Sequence, residues 1–173
     1  SISRNSEKTT WRAGVVYEAE NGLAPYFSYA QSFFPISVSE YVEDMNFSPM
    51  TGEQIEAGIR YQPLGTNMLF SAAVYQLDQN NVVTRTLAGD ITQIGQRRAR
   101  GFELEAKAEL TDYLTMVGSY SYTDARITKS EELLELGQRS ENTPYHQAAL
   151  WMTYDVTQLG IDGLTVGGGV RYT

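Results

Sequence analysis

The chain has 173 residues and a formal net charge of −8, from 13 Lys and Arg against 21 Asp and Glu. That balance excludes a phosphate-tracking nucleic-acid surface, which needs clustered cations, and a hydrophobic content of 42% excludes a disordered chain. No Cys and a single His exclude disulfides, thiolate metal centres, and His-based metal clusters or catalytic dyads.

The length is about that of one domain, and 12 Tyr with 15 Gly lean toward β structure. The chain has no run of about 18 apolar residues, so a membrane-spanning helix is excluded. A transmembrane strand is not, because it needs only about ten alternating residues. The first ten residues are polar and hold no apolar signal core.

Period-two alternation runs through almost the whole chain and predicts strands at 11–18, 25–34, 53–62, 67–78, 97–110, 114–127, 145–155 and 164–173. The third sets Ile55, Ala57, Ile59 and Tyr61 opposite Gln54, Glu56, Gly58 and Arg60. In the fifth, Phe102, Leu104, Ala106, Ala108 and Leu110 oppose Glu103, Glu105, Lys107 and Glu109. A helix would scatter those charges around its circumference, whereas a strand segregates them on one face. The expected connections are 19–24, 35–52, 63–66, 79–96, 111–113, 128–144 and 156–163, and short alternates with long throughout. Asn21-Gly22, Pro63-Leu64-Gly65, Thr111-Asp112 and Asp162-Gly163 supply turn chemistry to the short ones. In the last long connection, Thr128 with Glu131 reads as a capping box and Gly137 as a helix stop, which predicts a turn or two of helix.

This all-β, antiparallel up-and-down meander of eight strands, tight at one end and long-looped at the other, is the pattern of an outer-membrane barrel wall. Arg60, Arg171, Glu56, Glu103, Glu105 and Lys107 are then expected on the lumen face. Tyr17, Tyr26, Phe27, Tyr61, Tyr113, Tyr154 and Tyr172 are expected in interfacial girdles. Arg97, Arg98 and Arg100 form a local basic patch, expected to pair with lumen carboxylates rather than to hold lipopolysaccharide phosphate. The triple glycine 167–169 lacks the Lys-Ser or Lys-Thr of a phosphate loop and reads as a site of close approach or bending within a strand. His146 reads as structural, and the acidic pairs and clusters Glu131–Glu132 and Glu40, Glu43, Asp44 read as solvated, so no metal site is expected.

Several segments carry a family resemblance: NGLAPYFSYAQSF at 21–33, GEQIEAGIRY at 52–61, RARGFELEAKAEL at 98–110, GSYSYTDA at 118–125, NTPYHQAALWMTY at 142–154 and GLTVGGGVRYT at 163–173. In that order they resemble the TonB-dependent outer-membrane siderophore receptors, of the ferrichrome (hydroxamate) type. The resemblance implies a transmembrane barrel of about 22 strands closed by an N-terminal plug. It also implies import of a ferric siderophore with energy from TonB. The eight strands match the C-terminal part of that barrel, while the plug and the TonB-contacting box have no counterpart, so residues 1–173 are expected to be a partial barrel domain cut at both ends. Expected partners are a ferric siderophore, the TonB complex through the N-terminal region, and outer-membrane lipid, with no nucleic acid. The expected location is the bacterial outer membrane.

Most recognised siderophore contacts of the family lie on the plug and earlier loops, so none carries over by residue. The bottom-up candidates for a ligand vestibule are the long-loop aromatics Phe33, Phe34, Tyr41, Phe47 and Tyr145, whose ring faces suit an organic chelate. No catalytic residue, resident cofactor or protein-bound metal is expected; iron enters only as the ferric siderophore. Two other readings stay open on the residues alone: a soluble β-rich binding module, and a small outer-membrane barrel acting as an adhesin or enzyme.

Overall fold

The computed structural model describes residues 8–35, 47–85, 91–130, 136–140 and 143–173. The eight strands are β1 (Arg12–Val16), β2 (Leu23–Phe34), β3 (Met50–Tyr61), β4 (Met68–Arg85), β5 (Ile91–Thr111), β6 (Leu114–Lys129), β7 (His146–Asp155) and β8 (Thr165–Tyr172). They form one sheet in sequence order, every neighbouring pair antiparallel, with β1 and β8 at its edges.

The reversals at 17–22, 62–67, 112–113 and 156–164 lie at one end of the sheet. Their chemistry is local. Asn21 Oδ1 accepts from the Leu23 N–H at 3.2 Å, and Gly22 takes φ 84° beside it. Gly65 has φ 73° where the Thr66 N–H closes on the Pro63 carbonyl at 3.3 Å. Thr111 Oγ1 accepts from the N–H groups of Tyr113 and Leu114 at 3.3 and 3.1 Å. The last reversal adds a 3-10 turn, Val156–Leu159, capped by Asp155.

The opposite end differs from expectation in two places. Residues 79–96 do not form a long loop: β4 runs on to Arg85 and β5 starts at Ile91, with Val82 opposite Ile94 and Arg85 opposite Ile91. β-branched residues at 82–84 and 91–92 favour this continuation. The expected helix does not start at Thr128, because β6 continues to Lys129 and the Thr128 hydroxyl donates to Gln96 Oε1 at 2.9 Å. Residues 131–135, the centre of that expected helix, lie outside the described residues.

Among the described residues the buried hydrophobics are Val82, Ala108, Ala125 and Val156, while Phe27, Val74, Phe102, Leu104 and Trp151 stay exposed. A soluble domain of this length buries large side chains between layers. The described residues form a single layer, a wall whose apolar face has no cover among them.

Candidate functional site

Directly opposed residues in antiparallel strands point to the same face, so the register sorts every side chain. One row across the sheet reads Arg60, Ser71, Glu105, Ser119, Ala149, Arg171. Glu56, Glu103 and Lys107 share that face by alternation. All six charges expected on the lumen side therefore stand together on one polar face. Small residues separate them, and between Glu103, Glu105 and Arg171 lies a hollow of about 340 Å³ lined also by Ser119, Ser121 and Gln147.

Elsewhere on this face the polar groups are tied to the wall. Tyr26 Oη donates to Glu56 Oε1 at 2.7 Å, Gln54 Nε2 donates to Glu56 Oε2 at 3.1 Å, and the Arg60 guanidinium sits 5.0 Å from the Tyr26 ring centroid. Tyr26 is thus an inward residue, not a girdle residue. Three rings lie against the glycine directly opposite: Tyr26 on Gly58, Tyr75 on Gly101 and Trp151 on Gly169, where a Cβ would meet ring or hydroxyl atoms at 2.6–2.9 Å. A missing Cβ lets each ring lie along the wall instead of standing out from it. That is the close approach expected of the 167–169 run.

The other face is apolar over four rows. They include Met68, Ala108, Met116 and Met152; then Leu23, Tyr61, Phe70 and Leu150; then Ile59, Ala72, Leu104 and Tyr120; then Phe27, Val74, Phe102 and Tyr122. The next row toward the long connections turns polar on β4 to β6, with Gln76, Arg100 and Asp124, while Tyr29 and Ile55 continue it on β2 and β3. Aromatic residues mark this boundary: Phe102 and Tyr145 stack on Tyr122 at 5.9 Å, and Tyr120 Oη bonds His146 Nδ1 at 2.8 Å. Arg139 lies 3.5 Å over the Tyr145 ring.

The whole chain, residues 1–173, matches the family model described as TonB dependent receptor-like, beta-barrel. The chain belongs to the TonB-dependent receptors. It is 41% identical over 173 residues to the ferrioxamine B receptor of Salmonella typhimurium, covering 99% of this chain and 24% of that protein. It is 40% identical to the ferrichrome outer membrane transporter/phage receptor of Escherichia coli K12, covering 98% of this chain and 23% of that protein. The chain thus spans about a quarter of the length of these curated relatives. The crystal structure of the ferric-catecholate import receptor Fiu of E. coli superposes with a TM-score of 0.69 at 26% identity, covering 94% of this chain and 24% of that one.

As a stretch of TonB-dependent receptor barrel, the wall is an outer-membrane structure with an apolar band on one face and a charged row on the other, the alternation of barrel strands. The family sets aside the soluble-module reading. Short turns mark the periplasmic end of such barrels and long connections the extracellular end. The boundary of Tyr122, Tyr145 and His146 is then the extracellular girdle, where amphipathic rings prefer the headgroup zone.

The basic patch is corrected. Arg98 and Arg100 have the parity of Phe102 and point outward, Arg98 to Asp78 at 2.6 Å and Arg100 to Gln76 Oε1 at 2.7 Å. Only Arg97 of the three faces inward, and its partners are neutral: Gln79 Oε1 at 2.6 and 3.1 Å and Ser140 Oγ at 3.0 Å. The ion pairs found among the described residues, Arg98–Asp78 and Arg126–Asp124, are both on the lipid-side face above the apolar band.

Of the five vestibule candidates, the four described ones are not brought together. Phe34 has inward parity at the extracellular end, opposite Met50, and is half exposed. Phe33 has outward parity. Phe47 precedes β3 and is partly buried, Tyr145 stacks on outward-facing Tyr122, and Tyr41 lies outside the described residues. The acidic residues Glu40, Glu43, Asp44, Glu131 and Glu132 lie there too. Sequence reasoning missed Gln79, Gln93 and Ser140, which with Arg97 hold the extracellular end. The β-branched runs at 82–84 and 91–92 were the signal that could have placed Gln79 and Gln93 on one hairpin with Arg97.

Proposed function

We propose that this wall belongs to a receptor that takes up a ferric siderophore of the ferrichrome or ferrioxamine kind in a TonB-dependent manner. The observation that carries the reading is near-equal identity, 41% and 40% over almost the entire chain, to a ferrioxamine B receptor and a ferrichrome transporter. A lumen face that sets Glu105 between Arg60 and Arg171, with serines and alanine between, supports it. At ~4.8 Å per strand their backbones stand about 10 Å or more apart, and the ion pairs among the described residues do not include them. Charges spread in this way suit insertion of side chains from a plug domain.

In this reading the protein performs no covalent chemistry. The barrel wall supplies a path and a surface; iron crosses inside its chelate, and TonB engages the receptor through its N-terminal region. Among the described candidates, the inward parity of Phe34 at the extracellular end supports a role for its ring against an organic chelate.

Uptake of radiolabelled iron tests the proposal. The full-length receptor is expressed in cells lacking their own hydroxamate receptors and given ferric ferrichrome or ferric ferrioxamine B, with and without TonB. Accumulation of at least one, lost without TonB, is the expected result. Receptor present in the outer membrane with no uptake of either chelate would sink the reading.

A further inference from the structure

Beyond Asn80 and Gln96, β4 and β5 pair only with each other in the ladders of the described residues: the last partners on either side are Thr51 of β3 and Lys129 of β6. The two strands rise as an arm past the rest of the wall, by about 15 Å at ~3.4 Å per residue. An isolated two-stranded hairpin is marginal in water, so its angle has to be set by contacts at its base.

Such contacts exist on both flanks. On the β3 side, the Gln93 amide acts as a substitute for a neighbouring peptide: Nε2 donates to the carbonyls of Ser48 and Asn81 at 2.7 and 2.8 Å, and Oε1 accepts from the Ser48 N–H at 3.1 Å. Asn81, at φ 59°, donates through Nδ2 to the Pro49 carbonyl at 3.0 Å. On the β6 side, the register shifts between Gln96 and Arg97, a bulge of the kind that re-aims side chains. Arg97 there holds Gln79 on β4 and Ser140 in the connection after β6. Ser140 is itself anchored to β6, its N–H on the Ala125 carbonyl at 2.8 Å. The connection ending at 47–49, the arm, and the connection through 136–140 are therefore joined by side chains, with the arm in the middle.

We infer that the arm is the hub that holds these three extracellular connections in one geometry, that Gln93 and Arg97 are its positioning residues, and that siderophore affinity depends on this geometry. The last clause rests on the uptake reading above. Neither residue has to touch the chelate. Among the described residues the groups that hold Arg97 are neutral, so its clamp responds to changes in any one partner, and a ligand that contacts one connection is felt by the other two.

The test uses the full-length receptor in detergent, with Val83→Cys on the arm and Leu136→Cys on the last connection. Both positions are exposed, at 40% and 41%, and carry nitroxide labels. Electron spin resonance gives the distance distribution, and binding of ferric ferrioxamine B and ferric ferrichrome is titrated on the same protein. Arg97→Ala and Ser140→Ala should each broaden the distribution, and the double variant should broaden it no further. Arg97→Ala and Gln93→Ala should each weaken affinity for whichever chelate binds by about tenfold. An unchanged distribution after Arg97→Ala, or a broadened one with unchanged affinity, overturns the inference. Should Arg97→Ala fail to assemble, Ser140→Ala breaks the same clamp from a connecting segment and decides alone. Binding of neither chelate by the parent would remove the uptake reading, and the distances would still judge the arm.

Discussion

The two ends of this wall are built by different means. At the periplasmic end every reversal closes through residues two or three apart: Asn21 to Leu23, Pro63 to Thr66, Thr111 to Tyr113 and Leu114, Asp155 to Thr157. At the extracellular end the bonds that hold the connections join residues 12 to 45 apart: Gln93 to Asn81, Arg97 to Gln79, Thr128 to Gln96, Asn81 to Pro49, Arg97 to Ser140, Ser48 to Gln93. The first kind of end is rigid as soon as its strands pair. The second depends on side chains that meet only after the whole sheet has formed, and such contacts suit a surface that must adapt to a ligand.

This contrast can be broken or sharpened by substitution in the full-length receptor, with urea unfolding in lipid vesicles as the measure. The largest loss is expected for Gly22→Ala, about 3 kcal/mol. Its φ of 84° disfavours a side chain, and the new Cβ would fall 2.0 Å from the Gln62 carbonyl oxygen. Gly65→Ala has a similar φ but open space around it, so about 1 kcal/mol is expected. Equal losses at the two glycines would show that backbone strain, not the neighbouring strand, governs the tight end. Thr111→Ala removes an acceptor from two N–H groups and should cost about 0.5–1 kcal/mol.

Gln93→Ala removes three hydrogen bonds at the other end, yet its effect on global unfolding should stay below about 0.5 kcal/mol, because the arm can open without the wall. A loss as large as that of Thr111→Ala would end the distinction between the two regions. The smallest effect is one of pH. The hydroxyl and N–H of Thr157 hold the Asp155 carboxyl below its ordinary value of 3.8. A lowered folded value means that this turn contribution is complete above the ordinary carboxylate pKa and is lost as pH falls through the folded one. Protection of the Thr157 amide from hydrogen exchange should therefore fall on acidification in the parent and be low at every pH in Asp155→Ala.

Much of this was readable beforehand, and the failures are instructive. All eight strands and the six inward charges follow from period-two alternation, since one strand face must be apolar wherever lipid is its solvent. The same parity would have placed Arg98 and Arg100 outward, on the side of Phe102. Nearness in sequence to Glu103 and Glu105 pointed the other way, and along a strand nearness says nothing about face. Residues 79–96 read as a loop because Gln79, Asn80 and Asn81 interrupt the apolar alternation. Beyond the apolar band, however, the arm is held by pairing of β4 with β5, which no longer requires that pattern.

By itself, then, the sequence determined the strands, their order, the tight turns and which side of the wall is polar, because each depends on alternation or on residues two or three apart. Tertiary structure decided the length of the arm, the outward pairing of Arg98 with Asp78, and the meeting of Arg97 with Ser140 and of Gln93 with Ser48. Those depend on the register between strands, a quantity that no single segment carries and that appears only when neighbouring strands are laid side by side.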